Sequence, residues 1–183
     1  MLTPQEIRKI RLGSDYKQMT NIQNSDVISW EALEGAPPYV EKYRVTIHVR
    51  TITGKRANGS PIYRGVSVVT VTLPPDYPNS APRIVMESSP PFHPNWFDDS
   101  HWCYGSWRVG EALGDHVIRM VKTLQFDPEI TNENSPANRD ANSWYVSRKN
   151  SGLFPCDRTP LPDPSTPQNG GGNKPTFQII SRR

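Results

Sequence analysis

Long apolar runs are absent from this sequence, cysteine is nearly so, and neither sign of charge is in large excess. Hydrophobic residues make up 34% of the 183 positions, and no stretch approaches the roughly 20 apolar residues of a membrane-spanning helix. The start, Met1-Leu2-Thr3-Pro4-Gln5-Glu6, has no basic segment followed by an apolar one, so a secretory leader is not expected. Net charge is +3. With no arginine-rich stripe or aromatic–basic ladder, nucleic acid is not an expected partner. Cys103 and Cys156 are the two cysteines. A disulfide between them would tie the body of the chain to its end, but two thiols argue poorly for an oxidising compartment. A soluble, cytoplasmic protein with free thiols is the expectation. His93, His101 and Cys103 lack a Cys-x-x-Cys or His-x-x-x-His pair, so no metal or other cofactor is expected.

What the chain does have is proline, 19 residues of it, and a division in composition near Asn150. Residues 1–150 read as one catalytic-sized domain. Residues 151–183 collapse into Pro, Gly, Asn, Thr and Ser, including Gly170-Gly171-Gly172, and read as an unstructured tail. Within that tail Thr176 to Ile180 is β-prone, and Cys156 reads as an incidental thiol.

Thr3-Pro4-Gln5-Glu6 carries the signals of a helix start, with Thr3 as cap and Glu6 completing a capping box. Ile7, Ile10, Tyr16 and Met19 then form an expected apolar stripe, and Arg8, Lys9, Arg11 and Lys17 a basic outer face. Strands are expected at 27–32, 43–50, 65–73 and 83–86, from period-two alternation such as Val45, Ile47 and Val49. Thr53 to Ser60 reads as a hairpin connection between two of them. Short connections throughout predict an antiparallel meander. Farther on, Val117, Val121 and Leu124 recur at helical spacing with Asp115 as a plausible cap. Ser135-Pro136-Ala137 predicts a further helix start, after which Trp144 and Tyr145 face the core. The expected class is α+β: N-terminal helix, four-stranded sheet, a reactive loop, then C-terminal helices.

That loop holds the strongest chemical signal. Pro91-Phe92-His93-Pro94-Asn95 is followed eight residues later by Cys103, within His101-Trp102-Cys103-Tyr104-Gly105. Scaffolded loops are where reactive groups are presented. Cys103 is therefore the candidate nucleophile, and Asn95 the candidate group to stabilise an oxyanion beside it.

These residues, in this order, resemble the ubiquitin-conjugating (E2) enzymes with their UBC fold, over about residues 3–148. The resemblance is carried by Leu73-Pro74-Pro75-Asp76-Tyr77-Pro78 with Ala81-Pro82, by His93-Pro94-Asn95, by the spacing to Cys103, and by Ser135-Pro136-Ala137-Asn138. It implies that Cys103 accepts the C-terminus of ubiquitin or a ubiquitin-like protein from an E1-type activating enzyme as a thioester. Transfer to a lysine amine of a protein substrate would follow. Asn95 would stabilise the tetrahedral oxyanion, and Ser135 would occupy the gate position near the incoming lysine. Since serine supplies no negative charge, deprotonation would fall to Asp127, Asp140, water or a substrate group. His93 and Pro94 would shape the active-site loop without taking part in the chemistry. Arg8, Lys9 and Arg11 would contact the E1 ubiquitin-fold domain.

Three departures from the family pattern shape the expected partners. Cys-Leu-Asp is replaced by Cys103-Tyr104-Gly105, Tyr-Pro-Phe by Tyr77-Pro78-Asn79, and the Trp-Ser-Pro loop by a segment around Gly110-Glu111-Ala112-Leu113. The last two fall on the surface that greets RING-type E3 ligases, and losing an aromatic anchor there predicts conjugation without a RING partner. Such divergence resembles bacterial E2-like proteins encoded beside E1-like and deubiquitinase-like genes in phage-defence operons, which implies an antiviral setting. Two alternatives stand beside this reading. One is a catalytically inactive E2 variant that binds a ubiquitin-like protein. The other is a cysteine hydrolase pairing Cys103 with His101 or His93.

Overall fold

The first helix, α1 (Pro4–Ile22), begins as its residue types require. In the computed structural model, which describes residues 1–23 and 26–168, the Thr3 hydroxyl accepts from the Glu6 backbone N–H. The Glu6 carboxylate returns to the Thr3 N–H, closing the capping box. The buried face is only partly the expected one: Met19 is buried and Tyr16 packs against the core, as expected. Ile7 and Ile10 are 46% and 60% exposed, whereas Leu12, Asp15, Met19 and Ile22 are buried. Their spacing of three and four residues places them on a single side of the helix, which the expected stripe shares at Met19.

Strands β1 (Ile28–Glu34), β2 (Lys42–Ile47), β5 (Ser67–Thr72) and β6 (Arg83–Met86) form a four-stranded antiparallel sheet in the order β1-β2-β5-β6. This is the expected meander, and Val45 sits opposite Val69 and Trp30 on its buried face. The expected connection between the middle strands is itself a small sheet, β3 (Thr51–Lys55) paired with β4 (Pro61–Arg64). The turn signals around Asn58-Gly59 mark the tip of this hairpin, and strands of five and four residues bearing Lys and Arg give too little alternation to stand out in sequence.

Helix α2 (Leu113–Leu124) carries Val117, Val121 and Leu124 into the core. Asp115 does not cap it. Instead the first two helical N–H groups are received from α1: Leu113 N–H donates to Asp15 Oδ1 at 3.0 Å and Gly114 N–H to Gln18 Oε1 at 3.0 Å. Orphan donors at a helix start need partners, and here tertiary contact supplies them. Asp15 is 1% exposed and also accepts from Tyr77 Oη and, at 2.9 Å, from Arg11 Nε. One carboxylate thus joins α1, the Tyr77-Pro78 corner and α2.

Helix α3 (Arg139–Arg148) starts later than expected, because Asn138 and not Ser135 is its cap, accepting from Ala141 N–H at 2.9 Å. Trp144 and Tyr145 are buried as expected, joining Ile52, Phe126, Phe154 and Cys156 in a second apolar cluster beside the main core. The last two members correct the view of the expected tail over its described part, residues 151–168. Phe154 and Cys156 are 8% and 3% exposed, and the segment runs on to a buried Pro164 whose carbonyl accepts from Asn21 Nδ2 at 2.8 Å. Arg50 holds the Cys156 carbonyl through Nη2 at 2.7 Å, and Gln125 Nε2 holds that of Thr159 at 2.8 Å. A polar composition hid this packing, since two apolar side chains and borrowed backbone hydrogen bonds suffice to anchor the strap. The β-prone stretch 176–180 and the glycine run lie outside the described residues. No helix among the described residues is long and apolar enough to cross a membrane.

Candidate active site

The loop from Pro91 to Tyr104 is held at both ends. Phe92 N–H donates to the Ile52 carbonyl at 2.8 Å, fastening its start to the small sheet. Isolated antiparallel bridges Val85–His101 and Trp96–Trp102 fasten its end to β6 and to itself. His93 is fully buried, and its Nδ1 accepts from the Asn95 backbone N–H at 2.8 Å. That bond fixes the tautomer with the proton on Nε2. The ring packs edge-on to Phe126, and burial pushes its pKa down to about 3. A neutral ring turned into the core shapes the loop. The Pro94 carbonyl accepts from Ala137 N–H at 2.7 Å and Asn138 N–H at 3.3 Å, so the lead-in to α3 hangs from the same corner.

Asn95 is nearly buried and its carboxamide is used in both directions. Nδ2 donates to the Ile130 carbonyl at 2.8 Å, and Oδ1 accepts from Asn132 N–H at 2.9 Å. Its backbone carbonyl accepts from Cys103 N–H at 2.8 Å. A single residue therefore joins the nucleophile to segment 130–135, while one N–H of the amide remains for another acceptor. Asn132 extends the chain of contacts, its side chain bonding the Ser135 backbone at both N–H and carbonyl.

Cys103 is part-exposed and carries a free thiol; Cys156 is free as well. A cavity of about 140 Å³ brings Cys103, Asn95 and Ser135 together, with Trp102, Arg119 and Asn132 among its other walls. Three sequence-expected residues thus meet around one space. Its lining includes no carboxylate, and neither Asp127 nor Asp140 belongs to it. Gly105, two residues beyond the thiol, takes φ +78° in the left-handed region, where glycine turns the chain without the strain another residue would meet.

No protein-family model matches the chain, and no curated protein proves similar to it.

Arg119 was invisible as a site residue in the sequence, because a lone arginine on a helix reads as solvated. It donates through Nη1 to the Tyr104 carbonyl at 2.6 Å and through Nη2 to Glu111 Oε1 at 2.9 Å, and its guanidinium lies 5.1 Å from the centre of the Trp102 ring. His116 lies beneath, fully buried between Trp102 and Trp107, with Nδ1 3.0 Å from Glu111. Burial lowers its pKa to about 4 despite that carboxylate. Burial raises the Glu111 carboxyl, but hydrogen bonds from His116 and Arg119 outweigh it and hold the group below its usual range. Only the i,i+3 spacing of His116 and Arg119, on a helix following the loop, could have signalled the cluster.

His101 is turned elsewhere. Its Nδ1 lies 2.9 Å from Asp99, and its Nε2 accepts from Arg83 Nε at 3.0 Å. An orienting carboxylate is therefore present, but the nitrogen that a hydrolase would aim at the thiol is taken by a guanidinium. His101 is also not among the residues around the Cys103 cavity.

The basic residues of α1 are divided between roles within the chain. Arg8 bonds Glu41 at 2.6 Å and the Pro74 carbonyl at 3.2 Å, while Arg11 reaches Asp15 and the Val109 and Glu111 carbonyls. Lys9 stays exposed, its ammonium 4.9 Å from the Tyr39 ring centre. Trp107 Nε1 donates to the Pro78 carbonyl at 2.8 Å, and its ring lies 5.9 Å from that of Tyr77. An aromatic side chain of the protein itself thus covers the Tyr77-Pro78 corner.

Proposed function

We propose that the protein is an E2-type conjugating enzyme of UBC-like fold that carries ubiquitin or a ubiquitin-like protein as a thioester on Cys103. The observation that supports this most is the convergence of Cys103, Asn95 and Ser135 on one small cavity behind the His93-Pro94 corner. The order of motifs resembling the family adds to it, as does the helix–meander–helix arrangement. Covalent carriage divides a difficult acyl transfer into two easier steps.

In the first step Cys103 sulfur attacks the carbonyl of the E1-bound thioester. A new C–S bond forms, the old one breaks, and the E1 thiol leaves. In the second, the substrate amine attacks the Cys103 thioester carbonyl, and collapse of the tetrahedral oxyanion expels the Cys103 thiol to leave an amide. The second N–H of the Asn95 amide is left for the oxyanion that develops, and the Oδ1 bond to Asn132 holds the amide plane while charge grows. Ser135 lines the same cavity without supplying charge, so the amine proton leaves through water or a group of the substrate.

The partners that this reading implies are an E1-type activating enzyme, a ubiquitin-like protein and a protein substrate in the cytoplasm, in a bacterial antiviral setting. With Arg8 and Arg11 committed to contacts within the chain, Lys9 is the residue of the three left to steer the activating enzyme, and rim charges act chiefly on association rate. Trp107 across the Tyr77-Pro78 corner supports transfer without a RING-type E3. The test is a charging assay with the cognate activating enzyme, ATP and ubiquitin-like protein. A thiol-sensitive adduct on wild type, replaced by a thiol-resistant ester or nothing on Cys103→Ser, is expected. No adduct on wild type would return the chain to the binding-variant reading.

A further inference from the structure

We infer that Arg119 is the positioning residue of the Cys103 loop, and that it turns the positive end of an ion pair toward the cavity in which the thiol reacts. The guanidinium engages the residues on both sides of the nucleophile. It lies over the Trp102 ring at 5.1 Å and donates to the Tyr104 carbonyl at 2.6 Å. Its own orientation is fixed by Glu111, which accepts from Nε at 3.2 Å and Nη2 at 2.9 Å. Arginine alone among cations can meet a carboxylate through a fork, stack on an aromatic face and donate to a carbonyl at once.

The pair is asymmetric about the cavity. Arg119 lines it together with Cys103 and Asn95, whereas Glu111 does not. Nη1 uses one N–H on Tyr104, so a second remains, as one does on the Asn95 amide. Two fixed donors thus border the space in which an acyl oxygen would acquire charge, and preorganised donors in such sites act without reorganising. Tyr104 and Gly105 depart from the residues usual after the nucleophile. A carbonyl held from below by a guanidinium, followed by a glycine in the left-handed region, gives this loop a support of its own.

The role rests on Cys103 being the reactive thiol, and its test needs no activating enzyme. Cys103 is alkylated with neutral iodoacetamide and with anionic iodoacetate in the full-length protein, and the two rates are read by mass spectrometry of the Cys103 peptide. Cys156 is buried and reports separately. The expected result is an iodoacetate-to-iodoacetamide rate ratio that falls by about threefold or more in Arg119→Met. In Glu111→Gln, which removes the neutralising charge, the ratio is expected to rise. Melting curves of both variants show whether the fold survives, and the opposite signs keep the test open if one variant is lost. A ratio unchanged in the surviving variant, or moving the same way in both, overturns the inference. Failure of wild type to charge with a validated activating enzyme, while the ratios behave as expected, removes the carrier function and leaves the positioning role standing.

Discussion

Replacing Asn95 by alanine separates the structural and chemical duties of its carboxamide. The side chain donates to the Ile130 carbonyl and accepts from Asn132 N–H, so alanine leaves two part-buried backbone groups without partners. Each costs on the order of 1–3 kcal/mol if water does not replace the amide. Because segment 130–135 borders solvent, the lower end applies, and a total of about 2 kcal/mol is expected from urea unfolding. The chemical loss is larger. Removing one oxyanion donor typically slows acyl transfer by about 10²–10³-fold. Single-turnover discharge of preformed Cys103 thioester to free lysine measures this step apart from charging. Asn95→Ala is expected to charge within about threefold of wild type and to discharge about 10²-fold more slowly. Asn95→Asp keeps an acceptor for Asn132 but presents an oxygen to the Ile130 carbonyl, so it should match alanine in discharge while unfolding differently. Discharge within twofold of wild type, in an alanine variant with the expected stability loss, would leave Asn95 a purely structural residue and refute the reasoning.

Other consequences are as open to measurement. Asp15→Ala strands Tyr77 Oη and Leu113 N–H in the core, and a loss of about 3–5 kcal/mol in chemical unfolding is expected; a loss below 1 kcal/mol would mean that α2 does not depend on its cap from α1. Phe154→Ala removes a ring stacked on Phe126 at 5.5 Å between centres, costing about 3 kcal/mol and exposing the strap to proteolysis near Cys156; an unchanged digestion pattern would contradict its anchoring. Gly114→Ala would bring a Cβ within 2.7 Å of Pro164 and of the Gln18 side chain, so hydrogen exchange is expected to rise in the strap beyond Asp163. His93 and His116 have folded pKa values near 3 and near 4. Both lie below the unfolded value of about 6.5, so the unfolded chain takes up protons first on acidification. Stability is then full above about pH 6.5 and falls progressively toward pH 3, with a loss on the order of 5 kcal/mol by pH 4.5. Unfolding midpoints that stay level between pH 6.5 and 5 would show these rings to be solvated.

Local signals in this chain were legible wherever a short-range physical rule governed them. The capping box at Thr3 and Glu6, the alternation of Val45 and Ile47, and the helical spacing of Val117, Val121 and Leu124 each recur in the structure. Asn95 and Cys103 could be paired from their places on one loop, whereas Ser135 was set beside them only by resemblance to a family position; all three line one cavity. The face of α1 was partly misread because Ile7 and Ile10 look like core residues, and only tertiary packing keeps Met19 inside while adding Leu12, Asp15 and Ile22. Asp115 looked like a cap because the true acceptors stand about 100 residues earlier in the chain.

The sequence by itself determined the α+β order of elements, the meander and the loop that presents the thiol, because hydrophobic period, capping chemistry and turn residues act over a few positions. Only the tertiary structure decided what surrounds those elements. It set Arg119 against the Tyr104 carbonyl and the Trp102 ring, gave Asn95 its partners at Ile130 and Asn132, turned His101 toward Arg83, and folded residues 151–168 against Arg50, Gln125 and Asn21. Each of these contacts joins groups far apart in the chain, and their strength comes from burial and fixed geometry that exist only once the core has formed.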